Sequence, residues 1–235
     1  MRGDNPIRKR DEAHTGDVLV LQGKPFLTIQ GEGPHAGLRA VFVRLWGCNL
    51  KCMFCDTDFE SNPVHYTLDE LMPHFAPSSL VVLTGGEPLR QNVVPLVRKI
   101  VCHNRSVQIE TAGTLWWEGL EAYDPHELQI VVSPKTPTVH PRMQEAVAWK
   151  YIVSARHLRS KADGLPVSNT QRADDSHPKP LARPPQWLHK ENILVQPMDE
   201  GDPALNAANM NLCVELALEF GYRVSLQQHK IIGVP

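Results

Sequence analysis

The stretch that organises this chain of 235 residues is Cys48-Asn49-Leu50-Lys51-Cys52-Met53-Phe54-Cys55. It follows a strand-like apolar run at residues 40–46 and the chain breaker Gly47, so we expect a loop that carries three thiols together from the edge of a sheet. Structural zinc sites close at four ligands, and four-iron clusters normally take four thiolates. A set of three therefore predicts a metal centre with one open position.

Two plainer interpretations of the three cysteines stay open on the residues alone. Cysteine is among the most buried residue types, so the thiols could simply be core residues. One of the eleven histidines could instead complete a zinc site, because thiolate and imidazole both suit zinc. Neither interpretation accounts for the other motifs of the chain.

Composition and charge exclude several classes of protein. A hydrophobic content of 42% over 235 residues is enough for one substantial core. The formal net charge of −2 offers no basic surface for nucleic acid. The N-terminus does not resemble a signal peptide, and no apolar run is long enough to span a bilayer. Five cysteines, three of them in one loop, do not suggest a disulfide framework, so we expect a soluble protein of the reducing cytoplasm.

The pattern along the chain predicts one domain with two atypical segments. Residues 1–16 are too polar to bury much surface and are interpreted as a flexible extension ahead of a single domain at residues 17–235. Residues 157–189 are polar and rich in proline, which favours a mobile insertion between two core strands.

Strands and helices alternate through the rest of the chain. Short apolar runs predict a hairpin at residues 18–21 and 26–29, and later strands at residues 80–83, 107–110, 128–132, 148–153, 193–196 and 223–226. Helices are expected after a capping box at Thr67 (short or kinked because of Pro73), at residues 93–100, and between Asp202 and Gly221. Cys102 and Cys213 lie in apolar helical patterns and are interpreted as core residues. The alternation favours an α/β fold with a parallel sheet, open or curled into a barrel, and functional residues at the carboxyl ends of its strands.

The cysteine spacing, with Phe54 directly before the last thiol, resembles that of the radical S-adenosylmethionine (SAM) enzymes. Thr84-Gly85-Gly86-Glu87-Pro88 follows the next strand and resembles a second motif of that superfamily. The resemblance implies a partial TIM-like barrel of mostly parallel strands with few helices, in which Cys48, Cys52 and Cys55 hold a 4Fe-4S cluster and leave one iron for SAM. SAM contacts are implied at Phe54, Cys55, Asp56, Gly86, Ser133, Pro134, Lys135, Gln196, Pro197, Met198 and Asp199.

Within that superfamily the chain resembles the family of 7-carboxy-7-deazaguanine synthases. The segments that carry the resemblance cover most of residues 18–235 outside the insertion: Thr28-Ile29-Gln30-Gly31-Glu32-Gly33, Arg44-Leu45-Trp46-Gly47, Asp56-Thr57, Glu110-Thr111-Ala112-Gly113-Thr114, His229-Lys230 and Pro235. The resemblance implies a carbon–nitrogen lyase that converts 6-carboxy-5,6,7,8-tetrahydropterin to 7-carboxy-7-deazaguanine, a queuosine precursor, by radical ring contraction with loss of ammonia. No side chain need be catalytic, since the cluster and SAM generate the radical.

The same resemblance implies a substrate pocket and a second metal. Gln30 and the backbone of Ile29 and Gly31 suit the donor and acceptor edge of a pterin, with Glu32 assisting, and Arg44 suits the substrate carboxylate. Further substrate contacts are implied at Thr84, His229 and Pro235, and Thr57 offers an oxygen to Mg²⁺.

The resemblance also implies partners and leaves rival functions to be tested. An electron donor such as flavodoxin or ferredoxin and a homodimer are expected, whereas the extension, the insertion and Ala112 depart from the family pattern. One rival is an activating enzyme that installs a glycyl radical on a partner protein. Another is a non-catalytic iron–sulfur or zinc module.

Overall fold

A single ten-stranded sheet dominates this computed structural model, which describes residues 5–55, 57–58, 60–167 and 180–235. The strands are β1 (Val18–Gln22), β2 (Phe26–Ile29), β3 (Arg39–Leu45), β4 (Pro63–Thr67), β5 (Leu80–Gly85), β6 (Ser106–Thr111), β7 (Leu128–Val132), β8 (Ala148–Val153), β9 (Ile193–Pro197) and β10 (Arg223–Val224). Their order is β10-β9-β8-β7-β6-β5-β3-β1-β4, with β2 paired to β3.

The sheet is mostly parallel and open. β3 and β5 through β10 pair in parallel, whereas β1, β2 and β4 pair antiparallel to their neighbours. Within the described residues, β10 and β4 form the two ends of the sheet and do not close it. This arrangement confirms the predicted partial barrel of mostly parallel strands, and it brings the carboxyl ends of seven strands to one rim.

Four α-helices accompany the sheet in the described part of the chain: α1 (Leu68–Phe75), α2 (Val94–Cys102), α3 (Pro203–Phe220) and α4 (Gln228–Ile232). The capping box at Thr67 is present, and α1 ends two residues after Pro73, as the sequence predicts. Asp202 caps α3, and Gly221 ends it in the left-handed conformation with a φ of 76°. No helix among the described residues is long and apolar enough to cross a membrane.

Alternate side chains of the parallel strands serve opposite faces of the sheet. One face packs against the helices in the main core, which contains Val43, Leu83, Ile109, Tyr151 and Val195, all fully buried. The other face carries small apolar clusters at its base, such as Ala40, Leu80 and Val82, and polar residues nearer the carboxyl ends. Because both faces are buried, the strands read as continuous apolar runs in the sequence.

Two predictions about local structure are wrong. The hairpin at residues 18–21 and 26–29 does not form, because β1 pairs with β3 and β4, while β2 pairs with β3 among the described residues. Cys102 is exposed at the end of α2 rather than buried, whereas Cys213 is fully buried as expected. β4 was not predicted, because its exposed and half-buried residues lack an apolar pattern.

The described N-terminal segment packs on the domain, and its residues 5–8 lie against the cysteine loop and its flanks. The Arg8 backbone N–H donates to the Cys48 carbonyl at 2.7 Å, and the Arg8 guanidinium lies 4.6 Å from the centroid of the Trp46 ring. The Asn5 amide donates to the Thr57 carbonyl at 2.8 Å. These contacts do not test the flexibility predicted for the extension, which stays a prediction.

The described flanks of the predicted insertion pack on the core, and residues 168–179 lie outside the described residues. Leu181 is buried, and the Tyr151 hydroxyl donates to the Ala182 carbonyl at 2.7 Å. This hydrogen bond ties the returning flank to β8. The predicted domain bounds and the mobility of the insertion stay predictions.

We expect Tyr151→Phe to loosen this flank. The variant removes the donor to a buried carbonyl, and leaving such a group unsatisfied costs about 1–3 kcal/mol of unfolding free energy. Urea unfolding of the apo-protein measures the loss, and hydrogen–deuterium exchange of residues 180–185 locates it. An unchanged unfolding midpoint together with unchanged exchange would contradict the role of the hydrogen bond.

Candidate active site

A cavity of about 260 Å³ lies at the carboxyl ends of the parallel strands. Cys48, Cys52 and Cys55 all line it, so the structure brings the three predicted thiols to one place. Burial raises the pKa of the Cys48 thiol. Among the described residues, no three His, Cys, Asp or Glu side chains, these thiols included, are grouped closely enough to hold a single metal ion.

The cysteine loop rests directly on the glycine loop that follows β5. In the parallel register Leu45 is opposite Gly85, so the loops after β3 and β5 leave the sheet side by side. The Glu87 N–H donates to the Gly47 carbonyl at 3.0 Å, and a Cβ atom at Gly86 would lie 2.0 Å from that carbonyl oxygen. Only glycine fits at Gly86 without moving the cysteine loop.

Glu87 lines the first cavity, and its carboxylate also joins two loops of the site through hydrogen bonds. Its carboxylate is buried and accepts hydrogen bonds from the Thr111 hydroxyl at 2.7 Å, the Ala112 N–H at 2.9 Å and the Leu89 N–H at 3.0 Å. Burial raises the pKa of Glu87 despite these donors. The contact joins the loops after β5 and β6, and it uses the backbone of Ala112, so the departure from the family pattern at that side chain does not affect it.

Two polar strand ends complete the first cavity. After β7, the Lys135 ammonium donates to the Ser133 carbonyl at 2.8 Å, and burial lowers the pKa of Lys135 to about 8. After β9, the Asp199 carboxylate accepts from the Gly201 N–H at 3.0 Å and the Lys230 ammonium at 3.1 Å, and these contacts help to lower the pKa of Asp199 to about 2.

The residues of this cavity fit a 4Fe-4S cluster and SAM. The thiol donor set suits iron, and Gly85 and Gly86 line the cavity beside the thiols. Asn49, inside the cysteine loop, has a buried side-chain oxygen without a hydrogen-bond partner among the described residues.

A second cavity of about 370 Å³ adjoins the first. The two share six lining residues, namely Glu32, Thr57, Thr84, Gly85, Glu110 and Gln227. Arg44 lines only the second cavity and is opposite Thr84 in the β3–β5 register. The Gln22 side-chain oxygen, also at this cavity, is buried without a partner among the described residues.

The C-terminal residues form one wall of the second cavity. His229 and Pro235 line it, and the Thr28 hydroxyl donates to the Pro235 carbonyl at 2.7 Å. The Gln228 N–H donates to the Gly31 carbonyl at 3.0 Å, and a Cβ atom at Gly31 would lie 2.1 Å from His229 Nδ1. Burial lowers the pKa of His229. Gly31 therefore lets α4 pack against the turn after β2.

A buried ion triad spans the wall between the cavities. The Lys150 ammonium pairs with the Glu32 carboxylate and, at 3.1 Å, with the Glu110 carboxylate. Gln30 donates to Glu110 at 2.9 Å, and Gln227 donates to Glu32 at 2.8 Å. Lys150 and Gln227 were not predicted as site residues, although a lysine within the apolar run of β8 is a signal of a buried partner.

Most of the site residues predicted from the sequence line one of the two cavities. The first cavity is lined by Phe54, Cys55, Gly86, Ser133, Lys135, Gln196, Pro197, Met198 and Asp199, and the second by Ile29, Gln30, Arg44, His229 and Pro235. Pro134 and Gly31 are adjacent to lining residues without being among them, and Asp56 lies outside the described residues. The roles predicted for these residues stay predictions.

Comparisons with known proteins give close relatives, although no family model matches the chain. A 7-carboxy-7-deazaguanine synthase from Rhodospirillum rubrum is 42% identical over all of this chain and all of the relative. One from Rickettsia prowazekii is 36% identical over 100% of this chain and 96% of the relative. A crystal structure of QueE from Escherichia coli, 21% identical, covers 89% of this chain and 93% of its own with a TM-score of 0.62, which supports the fold.

We expect Gly86→Ala to separate the cysteine loop from the glycine loop. The added methyl group would clash with the Gly47 carbonyl, so both the melting temperature and the iron content after anaerobic reconstitution should fall. Gly23→Ala is the control, because Gly23 has nothing within 4 Å of the added Cβ and carries only the strain of its positive φ. Equal iron content in the two variants would show that the close approach does not position the thiols.

Proposed function

The chain belongs to the 7-carboxy-7-deazaguanine synthase family, and on that premise we propose a division of roles between its two cavities. It is a radical SAM lyase of queuosine-precursor biosynthesis that forms 7-carboxy-7-deazaguanine from 6-carboxy-5,6,7,8-tetrahydropterin. Its cofactors are a 4Fe-4S cluster and SAM. In our proposal the first cavity holds these cofactors and the second holds the pterin.

The observation that supports this division is the shared wall. Cys48, Cys52 and Cys55 line the first cavity only, Arg44 lines the second only, and six residues line both. When bound, the reduced cluster and SAM supply a 5′-deoxyadenosyl radical that removes a hydrogen atom from the pterin. Such a transfer needs the two ligands in contact without bulk water between them, and two adjoining cavities that share lining residues support that arrangement.

In the first cavity, thiolates of the three cysteines would ligate the cluster. The loop after β5 would face the methionine part of SAM with its glycine backbone. The polar strand ends at Ser133–Lys135 and at residues 196–199 would take the ribose, carboxylate and adenine. Phe54 and Met198 add apolar surface to the lining, which helps to exclude water from this cavity.

In the second cavity, Gln30 and Glu32 would meet the donor and acceptor edge of the pterin. Arg44 would pair with the substrate carboxylate, and Thr57, which lines both cavities, would bind Mg²⁺ beside that carboxylate. His229 and Pro235 would cover the ring. The cavity carries both carboxylates and cations, which suits a ligand with N–H donors and one carboxylate.

We also propose an electron donor such as flavodoxin or ferredoxin, a homodimer, and a reducing cytoplasmic location. The cluster must be reduced before each reaction, so a small redox partner is required. These three statements rest on the family and on the cysteine usage of the chain.

Anaerobic incubation of the reconstituted protein with dithionite, SAM and the carboxypterin tests the function, with mass analysis of the product. We expect 7-carboxy-7-deazaguanine without any added protein substrate, a result that a glycyl-radical activating enzyme would not give. Cleavage of SAM without this product would overturn the substrate.

Replacement of one cluster thiol should abolish this reaction. We expect Cys52→Ala to lose iron and acid-labile sulfide and to form no product, because two thiolates cannot hold the cluster in its place. Cys102→Ala is the matched control, since Cys102 is exposed at the end of α2, away from both cavities. A Cys52→Ala protein with full iron content would contradict the assigned ligand set.

Arg44→Gln should weaken binding of the carboxypterin selectively. A charge-assisted hydrogen bond contributes about 1.5–3 kcal/mol, so KM should rise about 10- to 100-fold. The affinity for a pterin analogue without the carboxylate should not change, and Arg98→Gln on the exposed face of α2 serves as the control. An equal loss of affinity for both pterins would exclude Arg44 as the carboxylate partner.

A further inference from the structure

The ion triad of Lys150, Glu32 and Glu110 is a buried group of charges at the two cavities. The side chains are 6%, 13% and 16% exposed, respectively. They come from β8, from the turn after β2 and from the carboxyl end of β6. Among the charged side chains described in the structure, these three lie where the two cavities meet, because both carboxylates line both cavities and Lys150 lines the first.

The two carboxylates retain capacity to accept hydrogen bonds. An ionised carboxylate has about four lone-pair sites. Glu110 accepts from Gln30, Gln108 and Lys150, and Glu32 accepts from Lys150 and Gln227. Sites therefore remain on both, with the most on Glu32, for donors of a ligand in the cavity.

The charge balance of the triad depends on Lys150. Although burial opposes its charge, the carboxylates of Glu110 and Glu32 raise the pKa of Lys150. Burial also opposes the charge of Glu32, but Lys150 and its hydrogen bonds hold the pKa of Glu32 well below its usual value. Without the ammonium group, two buried carboxylates would face each other, and one of them would take up a proton near neutral pH.

We propose that Lys150 is a positioning residue for the pterin reaction, holding Glu32 and Glu110 as adjacent carboxylates that accept from the donor edge of the substrate. The inference rests on the proposed function and adds a residue that the sequence did not single out. A protonated carboxyl group would present a donor where the pterin also has donors. The Lys150 ammonium therefore keeps both carboxylates ionised, so that they act only as hydrogen-bond acceptors toward the substrate.

Other charged groups face the triad and must be considered in any pH experiment. His229 interacts with Glu32, Lys135 interacts with both Lys150 and Glu32, and Arg44 lies near His229. Lys150 is the cation in direct contact with both carboxylates. Its removal should consequently change the charge of the pair more than a change at any of the others.

Lys150→Met is the test variant, with Lys150→Arg as the conservative replacement. Lys99→Met is the matched control, because Lys99 on α2 pairs with exposed Asp69 on α1 and neither residue lines a cavity. Steady-state kcat/KM for the carboxypterin is measured from about pH 6 to about pH 9, a range that spans the expected raised carboxylate pKa. Iron content and the melting temperature are recorded for every variant.

We expect kcat/KM of Lys150→Met to be reduced at low pH and to recover partly as the pH rises. Removal of the cation raises the carboxylate pKa, so the proton is bound below that pKa and lost above it. At about pH 6 the decrease should be about 10- to 100-fold, expressed mainly in KM, because charge-assisted hydrogen bonds to the substrate are lost. Wild type, Lys150→Arg and Lys99→Met should share one pH profile.

The outcomes separate the positioning role from the proposed function. Iron content like that of wild type, with the altered pH profile, supports the inference. Lys150→Met with a lower melting temperature but an unchanged profile and KM would overturn it, since the lysine would then be structural only. If Lys150→Met does not fold, Lys150→Gln removes the charge while keeping hydrogen bonds, with the same expected results. A wild-type protein without pterin turnover would overturn the proposed function and the inference together.

Discussion

The close approach of two backbone loops at neighbouring parallel strands is the constraint on which the site depends. β3 and β5 end at the same level, and their loops are joined by the hydrogen bond between the Glu87 N–H and the Gly47 carbonyl. One loop carries the thiols, and the other carries the glycines. Because the parallel register is fixed by buried apolar side chains on both faces, the two loops cannot slide relative to each other. The register of the sheet thus determines where the cysteine loop lies.

The alternation of side chains along each strand connects stability with the site. In β8, for example, Trp149, Tyr151 and Val153 enter the main core, whereas Lys150 and Ile152 line the first cavity. In β6, Ile109 is in the core and Glu110 is at the cavities. A substitution at one of these core positions would shift the strand backbone and, with it, the adjacent charged side chain, Lys150 or Glu110. Polar residues can be buried here because each strand is held by its apolar face.

Charge at the site is arranged by long-range contacts. Lys150 meets Glu32 across 118 residues of sequence and Glu110 across 40 residues. Their mutual neutralisation lowers the free-energy cost of burying them. Even so, well-packed apolar side chains of similar volume are often at least as stable as a buried triad of this kind. Because the triad lies where the two cavities meet, its position favours a role in ligand binding over a role in stability alone. The C-terminal segment adds to this wall through Gln227, and α4 packs against Gly31.

The sequence by itself determined the parts that depend on short spacing. The cysteine spacing, the glycine motif after β5, the capped helices α1 and α3 and the alternation of strands and helices are local patterns, so each could be recognised from neighbouring residues. The tertiary structure alone decided the pairing of β1 with β4, the exposure of Cys102, the packing of residues 5–8 on the cysteine loop, and the triad of Lys150. These features arise from contacts between residues far apart in the chain, whose partners no local pattern identifies. A buried lysine predicts that a carboxylate is near, but only the folded sheet decides which one.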